Sequence, residues 1–364
     1  MKRSLLPMFA TALIALASCA PTPRPAAEPR ASQAPATLDI YFIDVEGGQA
    51  TLMVTPEKES FLVDAGFPGT GTFASTPGDP ANARDAQRIR AAARDAGISR
   101  IDHLMVTHYH ADHAGGVPEL ARLLPIGQFI DHAAPTPEGA AGVPGTQDVY
   151  DRYVATRASS SHLDPKPGDR LPIGGIDATV VSSVGATIAT SLGAASGPNA
   201  ACQGQGLPAQ EKLENPRSLG VLVQFGAFRF LDIGDLSGPP LFALTCPRDR
   251  IGAIDVYLIA HHGGLDAADP TTFATLRPRV AVFNNGAAKG GAVETLAAIR
   301  SVPGIDGWQL HRAPTAGAPN APVERIANVD ESTSAWLKIS ARRDGSFTVT
   351  NGRTGTSVGY PARK

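Results

Sequence analysis

Thr107-His108-Tyr109-His110-Ala111-Asp112-His113-Ala114-Gly115-Gly116 places three of the chain's nine histidines, and one aspartate, inside residues 108–113. The apolar run just before it, residues 101–107, reads as a strand, so the cluster sits on a strand-end loop. On extended backbone the side chains of residues i and i+2 share a face, so His108 and His110 can grip one metal ion. Asp112 and His113 then point elsewhere and suit a second ion. Imidazole and carboxylate are a ligand set that zinc accepts. The glycines that follow let the chain turn tightly beneath such a site.

Working outward, runs rich in β-branched and aromatic residues predict strands at 38–45, 50–55 and 60–64. Residues 83–96 predict a helix with Asn82 as N-cap and Gly97 as stop, because Ala86, Ile89, Ala93 and Ala96 fall at helical spacing. A short helix is expected at 117–124. Later strands are expected at 178–182, 219–225, 228–233, 254–260, 279–284, 335–339 and 347–350, with a helix at 292–301. Residues 136–210 are weakly patterned and are expected to hold loops. Strand pairs early, then mixed strands and helices, predict an α/β fold of two sheets covered by outer helices.

The chain has 364 residues, of which 43% are hydrophobic and 18% charged, with a formal net charge of −2. This size can bury a large core, and the composition excludes wholesale disorder. The charge gives no bulk electrostatic case for a tight nucleic-acid partner. Arg84, Arg88, Arg90 and Arg94 share a helix with Asp85 and Asp95, which reads as a solvated face.

Residues 1–18 have a basic start, Lys2-Arg3, and an apolar stretch too short to span a bilayer, so they read as a signal peptide. Leu16-Ala17-Ser18-Cys19 resembles a bacterial lipobox, which implies cleavage before Cys19 and a lipid anchor there. An ordinary secretory signal with an incidental cysteine is the alternative. Ala20 is similar to the residue found there in outer-membrane-sorted lipoproteins, so the expected place is the periplasmic side of a bacterial membrane, preferably the outer one. Residues 19–37 are rich in Pro and Ala and read as an extended tether, leaving residues 38–364 as the folded domain. Processing removes Lys2 and Arg3 and takes the net charge to about −4. It also leaves Cys202 and Cys246 as an even pair. An oxidising compartment favours a disulfide between them, with two separate buried thiols as the alternative.

The His-x-His-x-Asp-His run resembles the metallo-β-lactamase superfamily. Phe61-Leu62-Val63-Asp64-Ala65-Gly66 is similar to that family's early Asp-x-Gly motif, whose aspartate supports the metal loop. Leu231-Asp232-Ile233-Gly234-Asp235 ends a strand where the family places a carboxylate bridging both metals, here Asp235; Asp232 falls inside the strand. Ile259-Ala260-His261-His262-Gly263-Gly264 carries the last metal histidine, His262, with His261 in support or facing substrate. Asp44-Val45-Glu46-Gly47-Gly48-Gln49-Ala50 looks like the opening of the hydrolase domain of ComEC-type competence proteins, which also carry the His-His-Gly ending and an Asn/Ser stretch matched here by Asn215 and Ser218. That resemblance covers residues 38 to about 300 and only a hydrolase domain, so DNA uptake does not follow.

The resemblance implies a four-layer αββα sandwich of two mixed sheets. It also implies two zinc ions, with manganese or iron as alternatives, held by His108, His110, Asp112, His113, Asp235 and His262. Such a pair lowers the pKa of a bound water to about 7 and supplies hydroxide for attack on a phosphorus or carbonyl centre. Asp112 and His261 are the candidates for moving protons. β-Lactamases proper add a third histidine to the first metal, and nothing near residues 180–200 supplies one. His132 and His162 are the only histidines between the two metal motifs. His132, Asn284, Lys289 and His311 are candidate substrate-binding residues; Lys289-Gly290-Gly291 could hold a phosphate at a helix start, or form a plain turn and cap. His103 reads as packing, and Tyr109 either lines the mouth or packs. Three functions follow: an envelope hydrolase of a phosphodiester or related ester, a lactone or β-lactam hydrolase on the same fold, or a non-catalytic binding lipoprotein.

Overall fold

A computed structural model describes residues 36–69, 80–135, 142–193, 197–203 and 213–363. The expected signal segment, the expected lipidation residue Cys19 and the expected tether up to residue 35 lie outside the described residues.

The chain lays down β1 (Leu38–Phe42), β2 (Thr51–Val54) and β3 (Ser60–Val63), then α1 (Arg84–Asp95) and β4 (Ile101–Met105). Next come α2 (Ala111–Ala114), α3 (Val117–Leu123), β5 (Ile126–Ile130), α4 (Thr146–Arg157) and β6 (Ser161–Leu163). The chain then crosses to a second sheet through β7 (Arg170–Leu171), β8 (Asp177–Ser183), β9 (Ala186–Thr187), β10 (Gly220–Phe225) and β11 (Phe228–Asp232). After α5 (Gly238–Ala243), β12 (Val256–Leu258), α6 (Pro270–Leu276), β13 (Val280–Phe283), α7 (Val293–Ser301), β14 (Asp306–His311) and β15 (Ile326–Asn328) finish that sheet. Finally β16 (Leu337–Ala341), β17 (Phe347–Asn351) and β18 (Ser357–Tyr360) return to the first.

The first sheet runs β18-β17-β16-β1-β2-β3-β4-β5-β6, and the second β15-β14-β13-β12-β11-β10-β8-β7 with β9 beside β8. Both are mixed: β1 pairs β2 antiparallel and β3 pairs β4 parallel, while β10 pairs β11 antiparallel and β11 pairs β12 parallel. The period-2 alternation of strand side chains divides the apolar residues between two faces. Leu38, Ile40 and Phe42 of β1 meet Val221, Val223 and Phe225 of β10 in the core between the sheets. Tyr41 faces the other way, into a layer shared with Ala86 and Ile89 of α1. Leu222 of β10 likewise joins Phe273 of α6 and Leu296 of α7. Two sheets with helices outside each make the αββα sandwich that the sequence predicts.

Some local expectations are corrected. Helix α1 starts one residue later than expected, and its N-cap is Ala83 rather than Asn82, with no side-chain cap bond. Asn82 is consumed by the short 3-10 turn Pro80–Asn82. The weakly patterned region 136–210 holds α4, β6, β7 and β9 besides the expected β8. Arg84 and Arg88 do not form a solvated face: Arg84 bonds Asp85, and Arg88 bonds Asp44 and Glu46. A disulfide joins Cys202 to Cys246. Among the described residues, no helix is long and apolar enough to cross a membrane.

Candidate metal centre

The ligand-type side chains converge at the carboxyl ends of β4, β11 and β12. His108 and His110 come from the loop after β4, and Asp112 and His113 from the short helix α2. Asp235 follows β11, and His262 follows β12. Their donor atoms form two sets, each within 4.8 Å: first His108, His110 and Asp235, and second Asp112, His113, Asp235 and His262. Asp235 belongs to both. In the second set, Nε2 of His262 lies 3.1 Å from Asp112 Oδ2 and 3.3 Å from Asp235 Oδ2. His113 Nε2 lies 3.3 Å and 3.2 Å from the same two oxygens. His108 Nε2 lies 3.0 Å from His110 Nδ1 and 3.8 Å from Asp235 Oδ2.

Asp64 explains how His113 is aimed. Its Oδ2 meets His113 Nδ1 at 2.7 Å and accepts from the Thr107 hydroxyl at 2.7 Å, while Oδ1 accepts from Thr107 N at 2.8 Å. Nδ1 of His113 therefore carries the proton, and its Nε2 lone pair points into the centre. Asp64 adopts φ 60°, and His261 and His262 adopt φ 49° and 54°. A non-glycine residue held in this left-handed region costs on the order of 1–2 kcal/mol. Such strain is common where a site dictates the backbone.

Lone pairs of His113 and His262 approach within 3.3 Å, beside two carboxylates with almost no solvent contact. Neutral imidazoles and carboxylates repel in that arrangement, and a bound cation resolves it. Asp235 Oδ1 is also buried without a hydrogen-bond partner among the described residues. The residues therefore fit metal ions. The buried acids also set the charge state of their neighbours. Burial alone would raise the Asp112 carboxyl, but Lys289 and His113 outweigh it and hold it well below the usual range. Burial would lower His113, yet Asp235, Asp112 and Asp64 lift it well above the ordinary imidazole value. For His108 burial dominates, and with its histidine neighbours pushes it well down.

His261 lies beside this centre and is half-buried. Its Nδ1 bonds Asp266 at 2.7 Å, and its Nε2 lies 3.3 Å from Asn215 Nδ2 and 3.7 Å from Asp235 Oδ2. Burial opposes its protonation, but Asp235 and Asp266 raise it to about 9. Lys289 reaches into the centre and pairs with Asp112. Asp232 turns away from the ligands and accepts from Gln49 Nε2 at 2.8 Å. Burial, reinforced by the Asp64 charge, pushes it up to about 7.

Three residues expected to contact substrate are buried against other groups of the chain. His132 is buried, with Nδ1 2.7 Å from the Ala133 carbonyl and Nε2 3.2 Å from Glu214. It joins neither ligand set. Asn284 is 4% exposed and donates to Gln49 Oε1 at 3.4 Å. His311 is 1% exposed and faces Asp44. The expected phosphate cradle after Lys289 is also altered: the Gly291 and Ala292 amides donate to the His262 and Gly263 carbonyls. His162 bonds Asp131 at 2.8 Å, and His103 bonds Glu59 at 2.8 Å. Tyr109 is fully buried and donates to the His132 carbonyl, so it packs. Arg88 had no local sequence signal, because it acts through Asp44, 44 residues away in the chain; Asp266 lies five residues after His261, with nothing in its own neighbourhood to single it out. Asn215 was visible only as part of a polar stretch.

Residues 43–182 match the family model described as the metallo-beta-lactamase superfamily, so the chain carries a metallo-β-lactamase superfamily domain. No curated protein matches the chain. Among solved structures, the metallo-β-lactamase fold protein YhfI from Bacillus subtilis is 10% identical over 74% of this chain and 95% of its own, with a TM-score of 0.44. A Cronobacter sakazakii metallo-β-lactamase with a HARLDQ motif is 14% identical over 55% of this chain and 61% of its own, with a TM-score of 0.33. CmlA, a diiron β-hydroxylase from Streptomyces venezuelae, is 16% identical over 69% and 45%, with a TM-score of 0.34. The chain thus spans less than two thirds of the length of the last two.

Proposed function

We propose that this metallo-β-lactamase superfamily domain is a dinuclear metal-dependent hydrolase of the bacterial cell envelope, acting on a phosphodiester or related ester. The observation that carries the reading is the pair of ligand sets sharing Asp235. Zinc is the expected metal, with manganese or iron as alternatives. Bound metal supplies Lewis-acid chemistry: it acidifies water and stabilises developing negative charge. His108, His110 and Asp235 would hold one ion, and Asp112, His113, Asp235 and His262 the other. The first set offers three protein donors among the described residues, which leaves room for substrate oxygen.

The chain's own residues do the remaining work. Asp64 keeps the His113 proton on Nδ1. Lys289, beside Asp112, can bind an anionic group that approaches the second ligand set. Asp266 fixes the orientation of His261, whose Nε2 faces Asp235 and can pass a proton to a leaving oxygen. The buried walls exclude water from behind the ligands. The envelope location is supported by the Cys202–Cys246 disulfide, which suits an oxidising compartment, and by the lipobox-like residues ending at Cys19.

The test is metal analysis of the purified protein, followed by assays on a chromogenic phosphodiester, a chromogenic cephalosporin and an acyl-lactone. Each is run with chelator and with added zinc or manganese. Two metal equivalents and chelator-sensitive phosphodiester cleavage are expected, with Asp235→Ala losing at least about a thousandfold in rate. Absence of stoichiometric metal, or hydrolysis untouched by chelator, overturns the reading. Turnover of the cephalosporin or lactone alone replaces it with the carbonyl-hydrolase reading.

A further inference from the structure

Asp44, Glu46 and His311 form a third group of metal-type donors. Two cations of the chain already serve it. His311 Nε2 lies 2.9 Å from Asp44 Oδ1 and 3.5 Å from Glu46 Oε2. Arg88 Nη1 lies 2.9 Å from Asp44 Oδ2 and 3.2 Å from Glu46 Oε1, and it donates to the Asp44 carbonyl at 3.0 Å. Two carboxylates face one guanidinium and one imidazole, so the charges balance without an added ion when His311 carries a proton. Asp44 and His311 have almost no solvent contact. A network this costly to bury is informative about what it holds in place.

It holds two loops that touch the metal centre. Asp44 Oδ1 also accepts from Glu46 N at 3.0 Å, which fixes the turn after β1. That turn presses on Asp112: a Cβ on Gly48 would lie 2.4 Å from the Asp112 carbonyl oxygen, and Gln49 N donates to that oxygen at 3.0 Å. On its other side, His311 is stapled by Asn285, whose Nδ2 donates to the His311 carbonyl at 2.8 Å. The loop after Asn285 carries Lys289 and packs on His262: Gly291 N donates to the His262 carbonyl at 2.9 Å, and a Cβ on Gly290 would lie 2.4 Å from that oxygen. His311 therefore stands between the turn behind Asp112 and the loop behind His262, the two residues that face each other across the second ligand set.

We propose that His311, with Asp44 and Arg88, is a positioning network that sets Asp112, His262 and Lys289 for the second metal position. The metal part of this inference rests on the dinuclear reading above; the loop-holding part does not. His311 is a positioning residue and touches no substrate.

The test compares wild type with His311→Ala, His311→Gln and Asp44→Asn in the full chain. One readout is hydrogen exchange at the Gln49 and Gly291 amides. The other is a competitive zinc titration that resolves two binding steps. His311→Ala and Asp44→Asn should speed exchange at both amides by about tenfold or more, with the amides of β10 unchanged. They should weaken by about 10–100-fold the zinc step that Asp112→Asn also weakens, and spare the other. His311→Gln, which keeps a donor within reach of Asp44, should restore most of both. Unchanged exchange in the folded variants overturns the proposal, as does equal weakening of both zinc steps. If wild type binds no zinc, the dinuclear reading fails, and the exchange data alone decide whether the network holds the loops. Should Asp44→Asn fail to fold, the two His311 variants carry the test.

Discussion

Asp44 is a carboxylate with no exposed surface, and its protonation is coupled to two cations. Burial would raise its pKa, but the His311 hydrogen bond and the His311 and Arg88 charges outweigh burial and lower it. A carboxylate with a depressed folded pKa stabilises the fold fully above its unfolded value near 4, and that contribution disappears as pH falls through the folded value. Removing one partner of a buried pair costs about 3–5 kcal/mol; Asp44→Asn keeps an acceptor, so about 2–3 kcal/mol is expected at pH 7. Urea unfolding across pH should show this gap constant from pH 7 to about 5 and closing below about 4. A gap that widens in acid would contradict the ion-pair account. The clustered acids and imidazoles that converge in the structure stand out in the sequence because their identity and spacing are local. Asp64 stands out too, as part of a short motif. Asp44 also belongs to a short motif, yet its partner Arg88 lies 44 residues on and His311 267 residues on. No local pattern encodes such a pairing, and that is why His311 was expected to face substrate.

At the scale of elements, strands read well where a short apolar core marks them, as Val221-Leu222-Val223 does in β10 and Val280-Ala281-Val282-Phe283 in β13. β1, β8, β10, β11 and β13 all fall within two or three residues of their expected bounds. Elements with mixed composition did not read: α4 buries only Thr146 and Tyr153, and so lacks an apolar stripe. β14 was hidden because Gln309 and His311 are buried polar residues, satisfied by Asn320 and Asp44 rather than by water. Among the described residues around Cys202, a 3-10 turn, Ala200–Cys202, is held by the disulfide and by Asn199, which bonds the Thr245 carbonyl and the Thr275 hydroxyl. Closing a loop of 44 residues is worth roughly 4 kcal/mol in the chain-entropy model. Replacing both cysteines by serine should therefore lower unfolding free energy by about 2–4 kcal/mol in denaturant titrations. Reductant should produce the same loss in wild type and none in the variant. Equal sensitivity to reductant in both would show that the crosslink does not hold this segment.

At the scale of the whole molecule, the two sheets bury aliphatic and aromatic side chains between them, while the carboxyl ends of their strands bring acids and imidazoles together at one rim. That rim is the least self-sufficient part of the fold. Asp112 and Asp235 share the oxygens that His113 and His262 face, and the left-handed backbone at His261 and His262 adds strain that packing must offset. A ligand that binds only the folded rim transfers its binding energy to the fold. At a free zinc concentration 100-fold above Kd, one site adds about 2.7 kcal/mol. With an unfolding entropy of ~2.1 cal/mol/K per residue over the roughly 300 described residues, each filled site should raise Tm by about 4 °C. Calorimetry of chelator-treated protein, then of the same sample with zinc restored, measures this directly. Two sites should give about 8 °C in total. Asp235→Asn removes the shared ligand, so it should lose most of that increment, whereas Asp112→Asn should keep the part that belongs to His108, His110 and Asp235. A Tm indifferent to chelator and zinc in wild type would mean that the rim is stabilised by its own protons and ion pairs, with no resident metal.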